Sequence, residues 1–433
     1  MLKVNRRSHT MTTTQTFHRS LIALAATSSL GLLTQAHAEV FVQCGPNNAG
    51  VDANGMIKAA YDVDPAVAGP KNASSQCMHL AAGDGFITMA DKRELYTFGF
   101  TDVTKKAVNQ VPLDSLDANF SAPTIELQQG KDFYLTLTNV SMAMRPDLFD
   151  PHTVHFHGFP QQPPVFDGMP EGSFGVNMGS SFTYYYKLND PGTYLYHCHQ
   201  EATEHMQMGM LGNLYVKPLQ DGTPKTYGGR TYTKFVYNDG DGSTGYDVSK
   251  PLQLVSMDSE FHDLHIGVQP LPFKNMRDDY AMINGRGYPD TVNPSPLDPP
   301  TQKVDVLTGG GVAIGDITSS QPINALITAV KGERVLLRMS NLSVTNYYTI
   351  TAQGLPMKVV GSGARQLKGP DGKILYYDTS SVTLGGGEST EVMIDTSQVE
   401  PGTYFLYTTN LNFLSNGTED NGGMMTEIVV SSI

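Results

Sequence analysis

Residues 194–210 read Tyr-Leu-Tyr-His-Cys-His-Gln-Glu-Ala-Thr-Glu-His-Met-Gln-Met-Gly-Met, and no other stretch constrains the chain as much. Pro191-Gly192 punctuates the approach and Thr193-Tyr-Leu-Tyr is rich in strand formers, so the histidines enter on a β-strand. Side chains on a strand alternate between faces. Cys198 therefore shares a face with Tyr194 and Tyr196, while His197 and His199 share the opposite one. A single strand can in this way serve two metal sites, a thiolate site on one face and a two-imidazole site on the other.

A second stretch, His152-Thr-Val-His155-Phe-His157-Gly158, extends the pattern. The same parity groups His155 with His157 and sends His152 to the other face. Two His, one Cys and a distant Met form the ligand set of a blue-copper electron-transfer centre, and His152, Cys198, His205 and Met210 supply it. His155, His157, His197 and His199 remain as an all-imidazole cluster suited to copper, zinc or iron. Half of the chain's 12 histidines fall in these two segments, with matching parity around one cysteine, which scattered surface or core histidines would not produce.

These segments resemble the copper motifs of multicopper oxidases and their two-domain cupredoxin relatives, the laccase-like proteins and copper nitrite reductases. The similarity runs from roughly residue 122 to 217 and rests on His-x-x-His-x-His-Gly together with His-Cys-His…His…Gly-Met. The resemblance implies that Asp167, in Asp167-Gly168, lies near the oxygen-reducing cluster and helps deliver protons. It also marks departures. The loop from Cys198 to His205 is two residues longer than in most laccases. The family's trinuclear copper cluster takes eight histidines, four from each of two facing domains, and the motifs here supply four. Adding His79, His262 and His265 makes seven. Against the nitrite reductase signature, His155 stands where an aspartate belongs and Thr409 where that group has its second-domain histidine.

The rest of the chain frames these motifs. Residues 1–38 carry Lys3, Arg6, Arg7 and Arg19, an apolar run over 21–33 and Ala36-His37-Ala38, the make-up of a secretory signal. No other run reaches the length needed to cross a bilayer, so an exported protein, periplasmic or extracellular, is expected. The full sequence holds 29 basic and 42 acidic residues. Removing four basic signal residues leaves 25 − 42 = −17, a balance unsuited to nucleic acid. In an oxidising compartment Cys44 and Cys77 are expected to pair as a disulfide, with a soft-metal site at Cys77-Met-His79 as the alternative.

From Glu94 onward short strand-forming runs alternate with Gly, Pro, Asp and Asn, and long amphipathic helical periodicity is absent, which indicates an all-β fold. The cupredoxin-like Greek-key barrel or sandwich of the family fits that pattern. The second half echoes the first. Residues 129–139 recur as 331–341, and Pro191-Gly-Thr-Tyr recurs as Pro401-Gly-Thr-Tyr404. The expected division is a signal over 1–38, an extension over 39–91 whose Asn-, Gly- and Ala-rich sequence between Cys44 and Cys77 suggests loops, a copper-binding domain over 92–219 and a degenerate copy over 220–433, joined by a linker near 220–229. The copy has lost its metal motif, with Tyr407, Thr408 and Thr409 at the positions of His197, Cys198 and His199. His262 and His265 are then ordinary polar surface residues, or one outside ligand.

The favoured function is an exported copper oxidoreductase of the multicopper oxidase type. Its reductant would be a small molecule or metal ion, such as a phenol, and its acceptor dioxygen. Missing cluster ligands would come from a neighbouring copy in a homo-oligomer, a trimer for instance, or from a partner protein. Two other readings use the same residues: a non-catalytic electron carrier or copper-tolerance protein with Met206 and Met208 as spare ligands, and a structural subunit that retains ancestral ligands.

Overall fold

The computed structural model describes residues 50–51, 57–58, 75–106, 111, 116–160, 162–300 and 319–432. The segment 1–38 and Cys44 lie outside them. Within them the protein is built from strands with two α-helices, α1 (Ala202–Met208) and α2 (Ser259–Ile266).

Eight strands form the first half: β1 (Ser75–Thr88), β2 (Glu94–Asp102), β3 (Ala122–Gln128), β4 (Asp132–Asn139), β5 (His155–His157), β6 (Ser181–Lys187), β7 (Gly192–His197) and β8 (Leu211–Lys217). They lie in two sheets, ordered β2-β1-β4-β6 and β3-β8-β7-β5. In each sheet one parallel pair, β1 with β4 and β3 with β8, interrupts otherwise antiparallel pairing. Apolar side chains from both sheets fill one core, including Leu80, Phe98, Ile125, Leu135, Phe156 and Tyr196.

The second half repeats this order. Strands β9 (Val248–Met257), β10 (Tyr280–Ile283), β11 (Ile327–Val330), β12 (Arg334–Asn341), β13 (Tyr348–Ala352), β14 (Met357–Ser362), β15 (Ser381–Leu384), β16 (Glu388–Asp395), β17 (Gly402–Thr408) and β18 (Met425–Ser431) give the paths β10-β9-β12-β16-β14 and β11-β18-β17-β13-β15. The parallel pairs recur as β9 with β12 and β11 with β18. Thus β12 takes the place of β4, as the echo of 129–139 in 331–341 requires, and β17 takes that of β7.

Two sequence expectations give way here. The stretch set apart as an extension contributes β1, a 14-residue strand central to the first sheet. Glycines in β1 and in its neighbour β2 serve close packing there. A Cβ on Gly85 would stand 2.9 Å from the Ala118 carbonyl oxygen, and one on Gly99 2.7 Å from that of Asn119. The expected linker is also ordered, with Lys225–Tyr227 and Arg230–Tyr232 paired as a hairpin.

A third cluster joins the halves: Leu195 and Leu211 from the first meet Val255, Met257, Met282 and Leu342 from the second. Polar contacts extend this seam. Glu391, fully buried on β16, accepts from the backbone N–H of Thr193 at 2.7 Å and from the Tyr237 hydroxyl at 2.8 Å. Arg338, also fully buried, donates to the Thr193 hydroxyl at 3.2 Å. The seam lies on the face of β7 that carries the odd-numbered residues, which matters for the site.

Candidate metal centres

Strand β7 divides its side chains as the period of two demands. Tyr194, Tyr196 and Cys198 point into the core of the first half, and Leu195 points into the seam. His155 pairs with His197 across β5 and β7. These register facts build two centres on opposite faces of one sheet.

On the core face, the sulfur of Cys198 lies 3.2 Å from His205 Nδ1 and 3.9 Å from His152 Nδ1. The Thr153 backbone N–H points at the same sulfur from 3.4 Å, and the two imidazole centroids are 5.0 Å apart. All three residues are fully buried. His152 is held by a bridge to Val176, and His205 by α1, which folds the long loop after Cys198 into a compact turn. That turn closes at Gly209, where φ is +118° and a Cβ would stand 2.7 Å from the Phe98 carbonyl, so glycine is required. Met210 follows it, fully buried, its carbonyl accepting from the Cys198 N–H at 3.0 Å.

The electrostatics of this pocket favour a cation. Burial opposes a charge on His205, yet the Cys198 sulfur and the Asp150 carboxyl outweigh it and push the imidazole up to about 10. Burial, then the His205 charge, holds His152 well below its ordinary value. A proton can sit on one ring only, whereas a metal ion placed between sulfur and both Nδ1 atoms meets all three groups. Two His and one Cys, with Met210 nearby, form the donor set that suits copper. The residues fit that ion.

On the seam face, His155, His157 and His197 each offer a ring nitrogen, and these atoms lie within 4.8 Å of one another. His199 joins them, its ring centroid 5.1 Å from His155 and 5.5 Å from His197. His155 Nδ1 donates to the Asp167 carbonyl at 2.6 Å, with the Asp167 carboxylate 3.5 Å away. His197 Nδ1 donates to the Cys198 carbonyl at 2.8 Å. Both contacts fix the proton on Nδ1 and leave the Nε2 lone pair for a metal. Burial is the main reason that His155, His157 and His197 all lie below the ordinary imidazole value, His197 at about 3, so the rings are neutral donors at pH 7.

His152, Cys198 and His205 thus fall in one cluster and His155, His157, His197 and His199 in the other, with Asp167 beside His155. The other histidines of the described residues fall in neither. His262 and His265, expected at the surface or as an outside ligand, are buried on α2 and held by the first half. His262 bonds to the Tyr96 and Gln207 carbonyls, and His265 to Glu204 at 2.8 Å and to Arg145. Their i, i+3 spacing turns both towards the first half rather than to solvent. His79 is buried against the Thr138 hydroxyl at 2.7 Å. Met208 packs in the first core and Met206 against the seam. Cys77 is disulfide-bonded and Cys198 is the free cysteine among the described residues.

Two features escaped the sequence. The Asp150 carboxylate stands 3.8 Å from His205 Nε2, and these atoms, with His152 Nε2, are buried without a hydrogen-bond partner. The Asp150-Pro151 pair just before His152 was the available signal. Gly387, in the turn between β15 and β16, covers the imidazole face, and a Cβ there would lie 2.8 Å from His157 Nε2. The run Gly385-Gly386-Gly387 was its signal.

Comparison with known proteins bears on these clusters. Two family models, both described as multicopper oxidase, match residues 100–221 and 269–432. Copper resistance protein A of Pseudomonas syringae pv. tomato is 25% identical over 228 residues, covering 52% of this chain and 35% of that protein. Laccase 1 of Metarhizium acridum is 31% identical over 109 residues, covering 25% of this chain and 16% of that one. The chain thus aligns with about a third or less of the length of these curated relatives. Among solved structures, the blue copper oxidase of Nitrosomonas europaea superposes with a TM-score of 0.57 at 22% identity, over 82% of this chain and 85% of that one. The copper nitrite reductase of the same organism gives 0.53 at 13%, over 82% and 94%. At these identities the superpositions speak for the fold alone. Among the described residues no helix is long and apolar enough to cross a membrane.

Proposed function

The chain belongs to the multicopper oxidase family, and on that premise we propose that it is an exported copper-dependent oxidoreductase with dioxygen as electron acceptor. Electrons enter from a small reductant, a phenol or a metal ion, at the Cys198 centre and leave at the imidazole face. The relative named copper resistance protein A favours a metal ion as that reductant.

In this reading His152, Cys198, His205 and Met210 would hold the blue-copper ion, and His155, His157, His197 and His199 would hold the second copper site. Copper supplies one-electron transfer at both places. The chain supplies the rest. Burial of His152, Cys198 and His205 keeps water from the thiolate, and the strand joins the sites covalently, because Cys198 lies between His197 and His199. Asp167, whose carboxylate lies 3.5 Å from His155 Nδ1, would in this reading act as the general acid that delivers protons to reduced oxygen.

The observation that carries the proposal is the fully buried thiol with two Nδ1 atoms at 3.2 and 3.9 Å. Burying such a group with no occupant is costly, and a pure packing role would call for apolar residues instead. The test is oxygen consumption by the copper-loaded chain with a phenol, Fe(II) or Cu(I) as reductant. Uptake that Cys198→Ser abolishes supports the proposal. A copper-replete protein that consumes no oxygen with any of the three would overturn it in favour of the electron carrier.

A further inference from the structure

We propose that the imidazole face holds one copper ion rather than a three-copper cluster, and that this chain alone therefore takes dioxygen only to hydrogen peroxide. The second clause rests on the oxidoreductase reading above; the first concerns the metal count and stands apart from it.

The histidines of the described residues can be followed individually. His152 and His205 face Cys198. His79, His262 and His265 are committed to Thr138, to two backbone carbonyls, and to Glu204 and Arg145. What is left for the seam face is His155, His157, His197 and His199, half of the eight that a trinuclear cluster takes.

The second half does not make up the difference. In β13 and β17, Thr351 pairs with Tyr407 as His155 pairs with His197 in β5 and β7. By that register Thr351, Gln353 and Tyr407 hold the positions of His155, His157 and His197. These side chains are turned to one another and to their own backbone: Tyr407 donates to Gln353 Oε1 at 3.3 Å and Thr351 to the Ser380 carbonyl at 2.8 Å. Among the described residues Gly387 reaches the imidazoles, at φ +87° and too close to His157 for any side chain. The covering surface is backbone where the larger cluster needs ligands.

A three-copper cluster does not fit these residues, whereas a single ion does. The three ring nitrogens within 4.8 Å of one another need only modest rotation to reach coordination distance, and neither His155 nor His157 is fully buried, so a small molecule can approach from their side. One ion here and one at Cys198 give the chain two one-electron carriers. Two molecules of reductant each lose one electron; dioxygen gains both with two protons, O2 + 2 e− + 2 H+ → H2O2. The O–O bond is reduced to a single bond and is not cleaved. Reduction to water needs four electrons and that cleavage.

The test combines metal analysis with product analysis on the copper-loaded full chain. Two coppers per chain are expected, falling to one in Cys198→Ser and to one in the double variant His155→Ala/His157→Ala. With a reductant present, one H2O2 should form per O2 consumed, and added catalase should return half of that oxygen. Four coppers per chain, or water as product, would overturn the proposal and leave the oxidase reading intact. Two coppers without any oxygen uptake would uphold the single ion, overturn the peroxide clause and remove the oxidase reading with it.

Discussion

At the scale of single residues, the chemistry is set by which imidazoles are free to bind and which are already committed. His79 is a committed one. Burial holds it at about 4, against 6.5 for an exposed histidine. The unfolded chain takes up this proton as pH falls through 6.5, while the folded chain resists until about 4. Stability is therefore complete above 6.5 and declines as pH falls towards 4. Over that window His79 accounts for a loss of roughly 3 kcal/mol. Urea unfolding of the metal-free protein at pH 7 and pH 4.5 should show a larger drop for the wild type than for His79→Gln; parallel drops would contradict the assignment. Sequence alone could not separate His79 from the ligands, because its partner Thr138 is 59 residues away on another strand. His152, His155 and His157 were separable, because strand parity is a local property that survives whatever the rest of the chain does.

At the scale of elements, the turn between β15 and β16 and the seam it adjoins decide how the second half covers the first. Gly387 has a positive φ and lies against the imidazole of His157. Gly387→Ala should cost on the order of 1–3 kcal/mol. It should also displace the His157 ring, so that copper is lost from the imidazole face while the Cys198 centre keeps its visible absorption. Unchanged copper content would show that the turn does not press on that ring. Deeper in the seam, Glu391→Ala leaves the Thr193 N–H and the Tyr237 hydroxyl without their acceptor and removes the buried charge that faces Arg338. A loss of roughly 3 kcal/mol or more is expected from denaturant midpoints, and Glu391→Gln, which can still accept, should lose less. Equal losses would place the effect in packing. None of these contacts was legible from the sequence, since Gly387 and His157, and Glu391 with Thr193 and Tyr237, stand well over a hundred positions apart. Strand β1 was missed for a different reason: its central Leu80-Ala-Ala-Gly-Asp-Gly85 run lacks the β-branched and aromatic residues by which a strand is recognised.

At the scale of the molecule, the echoed segments 129–139 and 331–341 did reveal two copies of one all-β unit, and the strand order of the first copy recurs in the second, which adds β14 and β15. The unequal fate of the copies was legible as well, because ligands that are absent from a sequence cannot be supplied by folding. What the sequence left open was whether the second half could contribute from elsewhere, and His262 and His265 were the candidates. The fold commits both to α2 against the first half, so that one copy carries the donors and the other serves as their cover. The central claim is then the thiolate centre itself, and the most direct measurement is the visible and paramagnetic resonance spectrum of copper-loaded wild type beside Cys198→Ser. The expected result is an intense thiolate-to-copper charge-transfer band in the wild type. It should vanish in the variant while the signal of imidazole-bound copper persists. A copper-loaded wild type without that band, or a variant that keeps it, would contradict the account.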